Sequence, residues 1–220
     1  MTSEFQLVLS SLPALFKGAE ITLAASVLGV VLGVVVGVAL AVARESGGLA
    51  LRLLVRVYVS FARGTPLFIQ ILVLFFVLPA IGLDIPKFQA GVVALSLNSG
   101  AYVSEIIRGV LTAVPRGQIE AARALAMPRP LIWRHIVLPQ VFALILPPLT
   151  VEFIALVKAS ALLSVIGVVE LTRTAQQIVA ATFQPVGIWI ATGILYFVMC
   201  FALAALARRV ERATLVYRLR

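Results

Sequence analysis

Long apolar runs alternate with short polar segments along the whole of this 220-residue chain. A helix of about 20 apolar residues is long enough to cross the hydrocarbon core of a bilayer. The pattern therefore predicts an all-α membrane protein, with one transmembrane domain (residues 1–220) that crosses the bilayer five times. The predicted spans cover residues 21–43, 58–81, 89–111, 136–157 and 188–207.

The composition also indicates the membrane class. Hydrophobic residues make up 62% of the sequence and its mean hydropathy is +1.12, which is more apolar surface than a soluble domain can bury. The net charge of +9 does not indicate a nucleic-acid partner, because the basic residues cluster at the ends of the apolar runs. The single cysteine, Cys200, excludes a disulfide within the chain. The sequence contains no catalytic constellation, metal-ligand set or phosphate-binding loop motif.

Two features of the sequence lie near the N-terminus, a glycine-lined helix face and an amphipathic segment before it. Gly29, Gly33 and Gly37 recur every four residues and share one helix face, and small residues on a face let another helix approach closely. We expect this face to pack against protein. The preceding residues 5–16 are predicted to form a short amphipathic lead segment at the outer membrane interface.

Prolines interrupt the second and fourth predicted spans. The segment Arg63–Pro66 breaks the second span, and Pro139, Pro147 and Pro148 lie inside the fourth. Proline removes a backbone donor from a helix, so we expect the fourth helix to be kinked and surrounded by neighbours that satisfy the freed carbonyl groups.

The segment before the last span is more polar than the spans. Residues 159–187 are predicted to lie on the outer side and to contain a short helix at residues 168–179. Glu170 and Arg173 stand three residues apart on that helix, a spacing that places side chains side by side. We expect them to form an exposed pair.

Basic residues are distributed very unevenly between the two sides of the predicted bundle. One side carries only Lys17, Lys87, Lys158 and Arg173. Because cytoplasmic loops collect lysine and arginine, the richer side is predicted to be cytoplasmic, which places the N-terminus outside and the C-terminus in the cytoplasm. The arginines of this cytoplasmic side are Arg44, Arg52, Arg56, Arg108, Arg116, Arg123, Arg129, Arg134, Arg208, Arg209, Arg212, Arg218 and Arg220.

The polar loop between the third and fourth spans is predicted to contain a short cytoplasmic helix. Residues 118–127 are mostly good helix formers, and Pro115, Gly117 and Pro128 mark the limits of the helix. A helix held beside the membrane in this way is typical of a docking surface for a soluble partner.

This loop resembles the cytoplasmic loop of ABC-importer permeases. From Glu120 to Pro139 the chain has the E-A-A element, a small residue and the I-x-L-P element at the spacing of that family. The family usually has glycine where this chain has Ala126, and alanine is strained at positive φ. The resemblance implies a coupling helix at about 118–127 on which an ATPase docks. The docking residues that it implies are Gly117, Glu120, Ala121, Ala122, Arg123, Ala126 and Met127.

Several segments are similar to segments of the polar amino acid permeases, namely residues 63–67, 96–102, 108–109, 115–118, 151–162 and 170–171. This resemblance implies a type I importer in the bacterial cytoplasmic (inner) membrane that moves an amino acid by alternating access. It implies that the chain binds no cofactor itself, since a partner ATPase uses the ATP and Mg²⁺. The implied partners are a cytoplasmic ABC ATPase dimer, a second copy of this chain or a related permease, an extracytoplasmic amino-acid-binding protein and membrane lipid. The sequence leaves open which amino acid is carried.

Polar residues within apolar spans are costly in lipid, so they are expected to face a cavity or a partner. At about 1.5 Å per residue, Gln70, Asn98 and Glu152 reach one layer near or just outside the midplane, and Thr65 lies below it. Tyr102 follows Asn98 by one helical turn on the same face. These five residues are predicted to line the substrate pathway.

The assignments of Asn98, Tyr102 and Glu152 have structural alternatives. The polar residues of the third span would otherwise form hydrogen bonds between helices. Glu152 suits the ammonium group of an amino acid, but it would also serve as a buried acceptor or as a partner for Arg63. Glu105 lies on the same face as Asn98 and either contacts substrate or pairs with Arg108.

The alternative function is a passive channel or a secondary transporter. A secondary transporter normally has more spans and an internal repeat, and neither is visible in the sequence. A channel has no need of a cytoplasmic docking helix.

Overall fold

The computed structural model describes the backbone of residues 2–215 and the side chains of residues 4–212. Arg218 and Arg220, two of the predicted cytoplasmic arginines, lie outside these ranges. Within the described residues all regular structure is helical, which confirms the predicted all-α class.

Short connections join the helices. The elements are α1 (Thr2–Ser46), α2 (Leu49–Gly64), α3 (Leu67–Ala80), α4 (Lys87–Ala113), α5 (Arg116–Ala124), α6 (Arg129–Ile132), a π-helix (Trp133–Val137), α7 (Leu138–Ala159), a 3₁₀-helix (Ser160–Ile166), α8 (Leu171–Thr182) and α9 (Pro185–Leu215). Among the described residues four helical stretches are long and apolar enough to cross a membrane, and the bent pair of α2 and α3 would make a fifth.

Helix α1 is much longer than the first predicted span. It contains 45 residues, which corresponds to about 68 Å at 1.5 Å per residue, whereas the hydrocarbon core is about 30 Å thick. The amphipathic lead predicted at residues 5–16 continues directly into the first span as part of the same helix. Leu15, at the end of this segment, and Ala19, one turn further along α1, form one apolar cluster with Leu171 of α8 and Ile188 of α9.

The glycine face of α1 packs closely against α4, as predicted. A Cβ atom on Gly33 would lie 2.9 Å from the Cβ of Ser99, and one on Gly37 would lie 2.5 Å from Val103 Cγ1. Side chains at these positions would therefore force the two helices apart. The contact buries the middle of α4, including Leu95.

The second predicted span consists of two helices whose axes differ by 109°. α2 ends at Gly64, and Thr65 is extended (φ −115°, ψ 147°). The residue before a proline is pushed out of the helical region by the proline ring, so Pro66 explains why the helix stops here. The position of the break is as predicted. Because of the bend, however, the depth of Gln70 in the membrane cannot be obtained by counting residues along one straight helix.

The start of α7 shows a different response to proline. Pro139 has no N–H to donate to the carbonyl group one turn before it. The five residues Trp133–Val137 form a π-helix, in which the N–H of Leu138 donates to the carbonyl oxygen of Trp133. A wider turn of this kind carries the helix past the site at which the regular donor is missing.

Candidate functional site

Three of the five predicted pathway residues meet at the break between α2 and α3. Gln70 Nε2 donates to Thr65 Oγ1 (2.9 Å) and to the carbonyl oxygen of Ala62 (2.8 Å). Asn98 Nδ2 reaches the break from α4 and donates to Gln70 Oε1 and to the same Ala62 oxygen, each at 3.1 Å. Asn98 is buried. The structure therefore shows hydrogen bonds between helices at Asn98, one of the two alternatives that the sequence left open.

Tyr102 is the exposed residue of this α4 face. Its side chain lies one turn beyond Asn98 and is 36% exposed. The guanidinium group of Arg63, from the last turn of α2, lies 5.4 Å from the centre of the Tyr102 ring. A cation over an aromatic face is attracted by the ring quadrupole. The pair leaves a positive charge and a phenol accessible beside α4.

Glu105 is bound by arginines from three helices. It pairs with Arg44 of α1 at 2.5 Å, with Arg108 of α4 at 2.7 Å and with Arg63 of α2 at 3.7 Å. The predicted pair with Arg108 is confirmed. Arg63, which the sequence offered as a partner for Glu152, lies against Glu105 and Tyr102 instead.

Glu152 is half-buried on α7. Its carboxylate approaches Ser99, a fully buried residue of α4 whose hydroxyl group makes no well-formed hydrogen bond within the described residues. Because Ser99 follows Asn98 directly, Glu152 and the cluster at the α2–α3 break reach adjacent positions of α4. Among the described residues no lysine or arginine forms an ion pair with Glu152. A carboxylate in this setting can accept a hydrogen bond from an ammonium group.

Helix α5 occupies the loop in which a cytoplasmic helix was predicted, and it runs from Arg116 to Ala124. One of its faces packs on the bundle. Ala122 is 3% exposed and joins Val114 and Val137 in an apolar cluster. Ala122, although one of the predicted docking residues, therefore anchors the helix to its own bundle.

The other face of α5 is open to solvent. Leu125, directly after the helix, is 78% exposed, and an exposed apolar side chain among charged neighbours is a common feature of protein contact sites. Met127 is half-buried. The exposed members of the predicted docking set are Gly117, Glu120, Ala121, Arg123 and Ala126.

The end of α5 explains the family's glycine. Ala126 has φ +56°, its N–H donates to the carbonyl oxygen of Arg123 (2.9 Å), and the N–H of Met127 donates to that of Ala122 (3.1 Å). This pair of bonds is a Schellman motif, in which glycine is the preferred left-handed residue. The positive φ is thus present here with alanine, at a cost of about 1–2 kcal/mol relative to glycine.

A side-chain contact connects α5 with α7. Gln140 Nε2 donates to Gln118 Oε1 (2.7 Å) and to the carbonyl oxygen of Ile136 in the preceding π-helix (2.7 Å). Glu152 lies further along the same α7. A displacement of α5 would therefore act directly on the helix that carries Glu152.

The sequence-based interpretation missed a second polar centre, at Glu170. This residue is 0% exposed and precedes α8, whose backbone N–H groups at Thr172 and Arg173 donate to its carboxylate (2.9 and 2.8 Å). The hydroxyl groups of Thr22 in α1 (3.3 Å) and Tyr196 in α9 (2.9 Å) donate to the same carboxylate. The prediction of an exposed pair with Arg173 is wrong. The only signal in the sequence was the similarity of Glu170-Leu171 to the amino acid permeases.

A family model described as "Binding-protein-dependent transport system inner membrane component" matches residues 29–216. The chain belongs to this family. The match confirms the resemblance seen in the loop from Glu120 to Pro139, and it makes the chain an ABC-transporter permease of the inner membrane.

Relatives and solved structures cover nearly all of the permease. It is 37% identical over 214 residues to the "Glutamine transport system permease protein GlnP" of Escherichia coli (strain K12), with 96% of this chain and 98% of the relative covered. It is 38% identical over 201 residues to the "L-cystine transport system permease protein TcyB" of Bacillus subtilis (strain 168), with 91% and 86% covered. A crystal structure of an amino acid ABC transporter with histidines matches with a TM-score of 0.89 at 39% identity, covering 93% of this chain and 96% of that one. An inward-facing MetNI methionine ABC transporter, at 24% identity and a TM-score of 0.70, shares the fold.

Proposed function

We propose that this permease is the membrane subunit of an ATP-driven importer that carries an amino acid into the cytoplasm. The observation that carries the proposal is the match to an amino acid ABC transporter with a TM-score of 0.89 over 93% of this chain. The glutamine and cystine permeases at 37% and 38% identity support an amino acid as the cargo. Two permease chains, either identical or related, enclose the pathway, because one set of five spans is too few to surround it.

The N-terminus lies outside and the end with α5 faces the cytoplasm. Support comes from the contacts of Arg44 and Arg108 with Glu105, which bring basic residues of α1 and α4 together at one end of the bundle. Arg173 lies at the other end, near Glu170. A bundle with one strongly basic end is oriented with that end in the cytoplasm.

Helix α5 is the coupling helix. A partner ATPase binds the ATP and Mg²⁺ and docks on the exposed face with Glu120, Arg123 and Leu125, while Ala122 holds the helix to the permease. When the ATPase dimer closes, α5 moves, and the Gln118–Gln140 contact passes this movement to α7. The pathway then alternates between an outward opening, where the binding protein delivers substrate, and an inward opening. Glu120 acts in docking and not in acid–base chemistry.

The substrate contacts are assigned to Tyr102 and Glu152. Tyr102 is accessible beside Arg63, and Glu152 presents a carboxylate to which an amino acid's ammonium group can donate. Loss of uptake in a Glu152→Ala variant that still assembles would support this role. Wild-type uptake by the same variant would remove Glu152 from the site.

Reconstitution into liposomes tests the function as a whole. The permease, its ATPase and its binding protein are expected to accumulate a radiolabelled amino acid only when ATP, Mg²⁺ and the binding protein are all present. A non-hydrolysable nucleotide analogue provides the control. Uptake that persists without nucleotide and without binding protein would show a passive channel or a secondary transporter instead.

The docking role of α5 is tested by reversing one charge. Glu120→Arg is expected to reduce the amount of ATPase that co-purifies with the permease, because Glu120 lies on the exposed face of α5. Glu20→Arg is the matched control, since Glu20 is an exposed carboxylate on α1 far from that loop. Unchanged co-purification of the ATPase with Glu120→Arg would contradict the role.

A further inference from the structure

The break at Pro66 creates a specific deficit in the backbone of α2. A helical residue at position 66 would donate its N–H to the carbonyl oxygen of Ala62, but proline has no N–H. Ala62 is only 3% exposed. A buried carbonyl group in a membrane bundle must find another donor within the protein.

Two side-chain amides supply the missing donor. Gln70 Nε2 lies 2.8 Å and Asn98 Nδ2 lies 3.1 Å from the Ala62 oxygen. We infer that Gln70 and Asn98 are positioning residues of the transport pathway: their amides replace the N–H that Pro66 lacks and so hold the end of α2, with Arg63, against Tyr102 of α4.

The hydrogen-bond capacity of the two amide nitrogens supports this role over donation to a substrate. A side-chain amide nitrogen carries two hydrogens. Asn98 Nδ2 already faces two acceptors, the Ala62 oxygen and Gln70 Oε1. Gln70 Nε2 faces three acceptors: the Ala62 oxygen, the carbonyl oxygen of Thr65 at 3.2 Å and the hydroxyl oxygen of Thr65 at 2.9 Å. Neither nitrogen has a hydrogen left for a substrate.

The geometry shows what the amide pair positions. Ala62 immediately precedes Arg63, whose guanidinium group lies over Tyr102. Asn98 and Tyr102 are one turn apart on α4, so the bond from Asn98 to Ala62 ties the end of α2 to the α4 turn that carries Tyr102. Without the bond, the end of α2 loses one of its ties to α4, and Arg63 is held less firmly over the ring by the remaining contacts of α2 with Leu97 and Glu105.

The inference rests on the proposed import function, and it is tested in the same reconstituted complex. Asn98→Leu and Gln70→Leu are each expected to lower the maximal rate of uptake about tenfold, the effect of leaving one buried carbonyl group poorly satisfied. The half-saturating substrate concentration and the ranking of competing amino acids should stay unchanged, because substrate contacts are not removed. Ser104→Ala is the matched control, since Ser104 is buried on α4 and bonds only to its own helix; it should transport normally.

A carboxylate variant of Gln70 further separates a positioning role from direct contact with the substrate. Gln70→Glu keeps the size of the side chain, but in its ionised form it cannot donate to Ala62, so a positioning role predicts a loss at least as large as that of Gln70→Leu when uptake is measured at alkaline pH. A residue that accepts the substrate's ammonium group would keep or improve its function with a carboxylate. Retained uptake by Gln70→Glu, or a leucine variant that changes half-saturation and selectivity at an unchanged maximal rate, would overturn the inference. Absence of ATP-dependent uptake by the wild-type complex would instead overturn the proposed function.

A second variant covers the case in which Asn98→Leu does not assemble. In Pro66→Ala/Asn98→Leu the new N–H at residue 66 can satisfy the Ala62 oxygen by extending α2, so the thermal stability of the complex should return. The bend should be lost at the same time, and uptake should remain low. A double variant that stays as unstable as Asn98→Leu, or that regains full uptake, would contradict the role of the amide pair.

Discussion

Two carboxylates, Glu105 and Glu170, tie the permease together in contrasting ways. Each connects three helices, but Glu105 is surrounded by three arginines, whereas Glu170 is surrounded by backbone N–H and hydroxyl groups. The side chain of Glu105 is 17% exposed and that of Glu170 is fully buried. Burial therefore decides the kind of partner, because an arginine brought into the interior has to be desolvated together with the carboxylate.

The difference also bears on movement. The partners of Glu105 reach water themselves, and the contact with Arg63 is long at 3.7 Å while Arg63 also lies over Tyr102. Such charges can exchange partners at little cost. The carboxylate of Glu170 is held at the first turn of α8, where the helix dipole favours a negative charge and the N–H groups have fixed directions. We expect the Glu105 end to rearrange during transport and the Glu170 end to stay rigid.

The largest effect should follow from removing the buried carboxylate. Glu170→Leu leaves two backbone N–H groups and two hydroxyl groups without their acceptor, so the free energy of unfolding is expected to fall by about 3 kcal/mol or more. Thermal unfolding of the detergent-solubilised permease measures the loss. Glu20→Leu, which removes an exposed carboxylate from α1, is the control and should change little. Equal melting temperatures for Glu170→Leu and the wild type would show that the network does not stabilise the fold.

Long-range contacts explain why the sequence misplaced Glu170. The i, i+3 spacing to Arg173 identifies neighbours on a helix surface, but Glu170 precedes the helix, which begins at Leu171. Its burial depends on Thr22 and Tyr196, which are 148 and 26 residues away in the chain. No local pattern contains that information. The glycine face of α1 was predictable because its periodicity is local and its packing requirement is general.

The bend between α2 and α3 likewise combines a feature that local sequence determines with one that long-range contacts determine. Pro66 and the extended residue before it follow from local sterics, so the position of the break could be predicted. Its angle of 109° could not, since the end of α2 is held by contacts with another helix, among them the bond from Asn98 to Ala62. At the end of α5 the sequence likewise indicated a stop, but only the structure shows that Ala126 keeps the left-handed conformation for which the family uses glycine.

A smaller effect is expected at Glu105. Glu105→Gln keeps a polar side chain but leaves three arginines near one another, and partly exposed ion pairs of this kind contribute about 1–2 kcal/mol together. The loss in thermal stability should shrink as salt is added, because mobile ions screen exposed charges. Glu170→Gln, measured over the same salt series, should show no such trend. A salt-independent loss at Glu105 would mean that its arginine cluster behaves like a buried network.

The smallest effect is expected in the pH dependence of the stability that the buried Glu170 contributes. Burial raises the pKa of the Glu170 carboxyl above its ordinary value of 4.5, although the hydrogen bonds from Thr172, Arg173, Tyr196 and Thr22 offset part of this change. A raised pKa means that folding favours the protonated form. The contribution is therefore fully present below pH 4.5 and is lost as the pH rises through the raised pKa. The melting temperature of the wild type, taken relative to that of Glu170→Gln, should accordingly fall across this window and then stay level. A difference that grows in favour of the wild type as the pH rises would show that the four donors outweigh burial and that the pKa is lowered.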